Sequence, residues 1–321
     1  MRTRTIFSQT QTGRSIVELM IAVTIGMVIL ISISSLFYAN KKTLRATDDK
    51  SRLDEEGRLA LHLLSFHVRM AGYGTLLSSI EKSEDDSTVP VKVQPAVYTS
   101  FADNKGASTD AIRGCAGGFA DSAKTLADLT CTGPGATPDA FLVRYVVDEF
   151  SDNTTAAGVP TDCLGAAVLP TAIPPDAAKK KGGILQEYIV ENRFYIKTTN
   201  GIPELYCRGN GGLANPTDAL NEGQPIAENV ENMQLSYGVS FNGTQTIDRY
   251  LTADKLSATD WQRVIAVRIC LVVRSASDNV ATTKQTYVGC DGSTKVTPND
   301  KRLRSVFNTT VTIRSRAVGA A

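Results

Sequence analysis

The sequence predicts an α+β protein: one long N-terminal helix, membrane-spanning at first and then amphipathic, packed on an antiparallel β-sheet head with long disulfide-stapled loops. Three observations predict it. From Ile16 to Phe37 the chain is apolar, with Glu18 its single ionisable residue. Leu59, Leu63, Phe66 and Met70 follow at spacings of four, three and four, a helical stripe. Beyond these, short β-branched stretches alternate with Gly- and Pro-rich connectors, and all six cysteines lie there. A helix followed by a run of strands is the order of an α+β domain.

The first 13 residues are polar and basic, with Arg2, Arg4 and no acid. The next stretch, about 22 residues at ~1.5 Å rise, makes a helix of roughly 33 Å, enough to cross a hydrocarbon core of ~30 Å. Ala22, Gly26, Ser32, Ser34 and Ser35 are small enough to let another helix approach. Glu18 is the anomaly, since a carboxylate inside a membrane costs on the order of 2.5–3.5 kcal/mol at its centre and less near its edge. It either snorkels to the interface or meets a positive partner. The apolar run also follows the basic leader and Gly13, whereas an ordinary secretory signal places its apolar region before the cut.

The helix is expected to run nearly unbroken from about Arg14 to about Ala71, ended by Gly72 and Gly74. The alternative is a membrane helix and a separate second helix, with the break at Gly57. Arg58, His62 and Arg69 fall on the face opposite the stripe. From Thr75 to about Ala140 the chain reads as loop, with an acidic run (Glu81, Glu84, Asp85, Asp86) that lacks the alternation and closing Glu of an EF-hand. Val89–Val97 alternates as an edge strand limited by Pro90 and Pro95. Strands are expected at Phe141–Val147, at Ile184–Thr198 (one strand or a hairpin), and at Glu204–Cys207 after the Asn200-Gly201 turn. Further strands are expected at Ile226–Ser240, Val264–Arg274 and Val306–Ser315. The organisation is therefore a leader at 1–13, a helix at 14–74 with its transmembrane part at about 16–37, and a β-rich head at 75–321.

At its N-terminus, Gly13-Arg14-Ser15-Ile16-Val17-Glu18 resembles the processing motif of the type IV prepilin family: Gly, usually Phe, Ser/Thr, two aliphatics and Glu. Arg14 stands where Phe is usual. The resemblance implies a pilin-like fold, cleavage between Gly13 and Arg14 by prepilin peptidase, and methylation of the new amino terminus at Arg14. It also implies that Glu18 pairs with the free amine of a neighbouring subunit during assembly, which matches the need of a buried carboxylate for an opposite charge. Three later segments are similar to the minor-pilin branch, related to the J-type pseudopilins of type II secretion: Arg69-Met70-Ala71-Gly72-Tyr73-Gly74, Ile226 to Val239, and Val267 to Ser275. The implied partners are prepilin peptidase, the inner membrane, and other minor pilins and the major pilin through the N-terminal helix. The implied location is the inner membrane with a periplasmic head, then the pilus, at its tip.

Composition narrows the chemistry. With 34 Lys and Arg against 33 Asp and Glu, the net charge is +1, which gives no case for nucleic acid. Cys115, Cys131, Cys163, Cys207, Cys270 and Cys290 all follow the membrane segment, an even count that suits an oxidising compartment. Six cysteines allow 15 connectivities; pairing in sequence order is the expectation. No CxxC, HExxH, GxSxG or Walker A motif occurs. Gly209–Ala214 superficially fits a dinucleotide fingerprint, but Asn215-Pro216 breaks any following helix, so a turn is expected. His62 and His67 are the only histidines and are five apart on one helix, so they are expected on its surface or packed on the sheet. Lys179–Lys181 reads as a solvated turn. No cofactor, metal or catalytic residue is expected. The function expected is pilus assembly within a minor-pilin priming or tip complex; a type II secretion pseudopilin or a tip adhesin is the alternative.

Overall fold

Ile16–Met70 forms a single 55-residue helix, α1, without a break at Gly57. The computed structural model describes residues 13, 15–73, 101–102, 108–109, 111–124, 128–135, 138–148, 154–173, 185–214, 220–242 and 246–317. Arg14, Gly74, the acidic run at 81–86, the strand expected at Val89–Val97 and Lys179–Lys181 lie outside them. The chain divides into two compact units, Met1–Asp49 and Lys50–Ala321.

In the first unit the apolar side chains of α1 are exposed, from Ile16 at 80% to Phe37 at 69%. The stretch is long and apolar enough to cross a membrane. Three of its hydroxyls are satisfied by the helix itself: Thr24 donates to Ile21 O, Ser32 to Val28 O and Ser35 to Ser32 O, each at 2.8 Å. In hydrocarbon such internal bonds remove the cost of a bare hydroxyl.

The second unit carries the strands β1 Phe101–Ala102, β2 Ser108–Thr109, β3 Ile112–Cys115, β4 Ala140–Val147, β5 Pro170–Ile173, β6 Leu185–Thr199, β7 Ile202–Gly209, β8 Gln224–Glu228, β9 Val230–Val239, β10 Arg249–Leu251, β11 Val264–Arg274, β12 Tyr287–Val288, β13 Lys295–Val296 and β14 Arg304–Thr312. A four-residue helix, α2 Arg314–Ala317, follows β14. One sheet runs β3-β4-β6-β7-β8, with β5 also paired to β6; the other runs β10-β9-β11-β14. All pairings are antiparallel.

Leu185–Thr199 is one strand, and the hairpin turns at Asn200-Gly201, both with positive φ. The stretch expected as one strand over Ile226–Ser240 is two, in different sheets. Asn229, at φ 58°, redirects the chain between β8 and β9, a left-handed conformation that Asn tolerates better than most residues.

The helix stripe is a correction. Leu53, Ala60, Leu64 and Val68 are the buried apolar residues of α1, with Gly57 on the same line and Ala71, just past the helix end, continuing it. Leu59 is 44% exposed and Phe66 36%, while Leu63 and Met70 are half-buried. The buried line is displaced by one residue, about 100° of rotation. Small residues explain the shift: a Cβ at Gly57 would meet the Phe307 ring of β14, so bare backbone faces the sheet there. The other side of the core is built by Phe141, Phe194 and Leu205 from one sheet and Met233, Tyr237, Ile269 and Leu271 from the other.

A buried polar joint fixes α1 to the larger sheet. His67 Nδ1 lies 3.1 Å from the hydroxyl of Tyr145 on β4, and Asn192 Nδ2 on β6 donates to that hydroxyl at 3.1 Å. Asn192 Oδ1 accepts from Cys163 N at 3.0 Å, tying the loop before β5 to the same joint. Burial lowers the His67 pKa to about 4, so the imidazole is neutral at ordinary pH. The end of α1 is held as well. Gly72, at φ 70°, donates its N–H to Arg144 O at 2.8 Å, and Ser315 Oγ donates to Ala71 O at 2.8 Å.

Candidate assembly site at the helix N-terminus

Ser15 is the residue before α1 and caps it: its Oγ accepts the N–H of Val17 at 3.3 Å, and its carbonyl accepts Leu19 N at 3.2 Å. Glu18 follows three residues later, in the first turn. Ser15-x-x-Glu18 is therefore the sequence of a capping box. That signal was readable in the chain and identifies Ser15 as a residue that the processing motif alone does not explain.

The position has an electrostatic meaning. The first turn of a helix carries unsatisfied N–H groups and roughly half a positive charge, which favours a carboxylate there. Glu18 is exposed, and among the described residues no ion pair reaches it. The surrounding surface is apolar, with Val17 at 62%, Leu19 at 61% and Ile21 at 54% exposure. A carboxylate in that setting is free to accept a cation from outside its own chain. Gly13 has nothing within 4 Å of where a Cβ would stand, and Gly26 likewise leaves a bare notch in the apolar helix. Arg14 lies outside the described residues.

The other singled-out residues do not form a reactive centre. His62 is exposed and His67 buried, so the two histidines do not share a site. No group of three His, Cys, Asp or Glu that could hold a metal occurs among the described residues. The cysteines form Cys115–Cys131, Cys163–Cys207 and Cys270–Cys290, the pairs that follow sequence order. Gly209–Ala214 is the end of β7 and a turn, held by Asp162, whose Oδ2 accepts Gly211 N at 2.8 Å and whose Oδ1 accepts Leu164 N at 2.9 Å.

The head has a second carboxylate whose role sequence reading missed. Asp139 is buried, and its oxygens accept Gly117 N at 3.1 Å and Leu235 N at 2.8 Å, linking the two sheets. Burial raises its pKa, against the pull of those two N–H donors. Nothing local to Pro138-Asp139 signals this, because both donors come from distant positions.

Part of the chain matches a known family model. Residues 193–315 match PilW, Type IV Pilus-assembly protein W. That stretch runs from β6 to α2 and includes all of the four-stranded sheet. No curated protein matches the chain. A solved structure, the type IV-like pilin TTHA1219 from Thermus thermophilus, is similar at 11% identity over 83% of this chain and 97% of that one. Its TM-score is 0.38, too low to carry a statement about this head. The family match, on a chain with an apolar N-terminal helix, two antiparallel sheets and three disulfides, supports a minor-pilin role in pilus assembly.

Proposed function

We propose that the chain is a minor pilin that is cleaved between Gly13 and Arg14 by prepilin peptidase, methylated at Arg14, and built into a priming or tip complex of a type IV pilus. The observation that carries this reading is Glu18. It is the single charge in an exposed apolar stretch, in the first turn of a helix capped by Ser15, and the fifth residue after the Gly13-Arg14 bond.

Cleavage creates a free amine at Arg14, next to the positive end of α1. Amine and helix dipole repel one another, so the new terminus gains most from a carboxylate supplied nearby. Inside a membrane, Glu18 of a neighbouring subunit can neutralise that amine, and each charge removes the burial cost of the other. Apolar packing along α1 supplies the attraction, and the pair of charges sets how far one helix slides past the next. Before assembly the helix holds the protein in the inner membrane with the head on the periplasmic side, where the three disulfides form. The role is assembly rather than turnover, and the partners are the other minor pilins, the major pilin and the peptidase.

The test is intact mass and N-terminal sequence of the membrane-extracted protein, with and without the peptidase. A chain starting at methylated Arg14 only when the peptidase is present is expected; a chain still starting at Met1 in both would refute processing. Glu18→Ala is expected to remain in the membrane fraction while its amount in sheared fibres falls about tenfold or more, the factor that 1.4 kcal/mol represents. Normal incorporation of that variant would exclude the pairing role.

A further inference from the structure

Among the described residues, the four-stranded sheet ends on one side at β14, which pairs only with β11. Its register with β11 runs through nine consecutive pairs without a shift, from Ala266 opposite Thr312 to Arg274 opposite Arg304. The direction of the backbone groups follows from the two ends. Ile313 N donates to Ile265 O at 2.9 Å, and Ser275 N donates to Leu303 O at 2.8 Å. In an antiparallel ladder such hydrogen-bonded pairs alternate with pairs whose groups point away. Odd-numbered residues of β14 therefore bond β11, and the N–H and C=O groups of Val306, Asn308, Thr310 and Thr312 point outward. The side chains of Asn308, Thr310 and Thr312 are exposed.

An exposed edge of this kind is a template for another strand, and proteins normally blunt it with charge, proline, a bulge or shortness. The other edges of the two sheets are blunted. β10 has three residues and β3 four. β8 carries Pro225, has an irregular register against β7, and gives the N–H of Glu228 to Glu56. Ser305–Thr312 has none of these devices: it is eight residues of Ser, Val, Phe, Asn and Thr without a charge, a proline or a glycine. Arg304, at its start, is occupied by Glu231 and Asp300. Arg314, just past its end, is exposed and has no acidic partner among the described residues.

We propose that the outer edge of β14 receives an extended segment of a different pilin subunit, which adds a fifth strand to this sheet. The donor and acceptor row at Val306–Thr312 is complementary to an extended backbone. The occupant carries apolar residues on the side shared with Phe307 and Val311, polar residues beside Asn308 and Thr310, and a carboxylate at the end beside Arg314. This rests on the minor-pilin reading, and it names the surface that reading leaves unspecified.

The test uses the full-length chain in cells that express the other pilin subunits. A photo-cross-linker at Asn308 is expected to capture an extended run of another pilin, identified by mass spectrometry, while the same probe at Gln234 in the middle of the sheet captures none. Thr310→Pro removes one outward N–H and leaves the bonds to β11, and Thr310→Lys places a charge on the edge. Both are expected to keep three disulfides and cleavage at Gly13, yet to lose the Asn308 cross-link and fall at least about tenfold in fibres. Folded, cleaved variants that enter fibres normally would overturn the edge contact and leave the pilin reading standing. A cross-link only to a second copy of this chain would also overturn it. Wild-type protein missing from fibres would remove both.

Discussion

His67 is held by Tyr145 and Asn192 at the seam between helix and sheet, and its burial has a consequence for acid stability. The folded-state pKa is lowered to about 4, against 6.5 for an unfolded imidazole. Between those values the unfolded chain holds a proton that the folded chain does not, so stability falls as pH drops from about 6.5 toward 4. The full effect is on the order of 3 kcal/mol at ~1.4 kcal/mol per pKa unit. Asp139 works in the opposite sense, since its raised carboxyl pKa favours the folded state as pH falls. Urea midpoints measured from pH 7 to pH 4.5 are expected to fall in the wild type and to fall less steeply in His67→Gln. Equal slopes in the two proteins would show that another group controls the loss. The sequence left His67 either on the helix surface or packed on the sheet, and could not supply Tyr145 and Asn192, which lie 78 and 125 residues away. Glu18 stands out in the sequence for the opposite reason: a lone charge in an apolar run is conspicuous without any tertiary information.

At the scale of elements, the length of α1 was legible and its buried face was not. A stripe of Leu59, Leu63, Phe66 and Met70 satisfied the helical period, but period and size do not reveal which face fits closest. The sheet chose the line with Gly57 and Ala60, where the backbone can approach. Gly57→Ala tests that account. An added methyl improves helix propensity by up to about 1 kcal/mol. It also forces the Phe307 ring to move, and overpacking typically costs about 1–3 kcal/mol. The variant is expected to be no more stable than wild type and up to about 2 kcal/mol less stable, the difference of those two terms. In a Phe307→Leu background the same substitution is expected to lose most of its cost. A double-mutant cycle with no coupling would place Gly57 away from the ring. The β8–β9 join shows a second limit. Alternation continued through Asn229, so the sequence read as one strand; only the positive φ at Asn229 reveals that the chain leaves one sheet for the other. β11 was legible end to end, because it is central and mostly apolar, with Arg268 the one charge inside it.

For the whole molecule, the order helix then strands was enough to set the class, and the even cysteine count was enough to expect three disulfides. What stabilises the head beyond its core is the way three staples close loops of different size. Cys115–Cys131 spans 16 residues, Cys270–Cys290 spans 20 and Cys163–Cys207 spans 44. In the chain-entropy account, a disulfide acts by restricting the unfolded chain, more so for a longer loop. Going from 16 to 44 residues adds (3/2)RT ln(44/16), about 0.9 kcal/mol. Cys163–Cys207 also fastens the loop that Asp162 and Asn192 hold, and its Cys207 end is fully buried on β7. Each pair replaced by alanine is therefore expected to lower the unfolding free energy by about 2–5 kcal/mol, with Cys163→Ala/Cys207→Ala the most costly. Urea denaturation of the three double variants gives the ranking directly. If the Cys115 and Cys131 pair costs as much as the Cys163 and Cys207 pair, loop entropy is not what these bonds contribute, and local packing around each sulfur takes its place as the explanation.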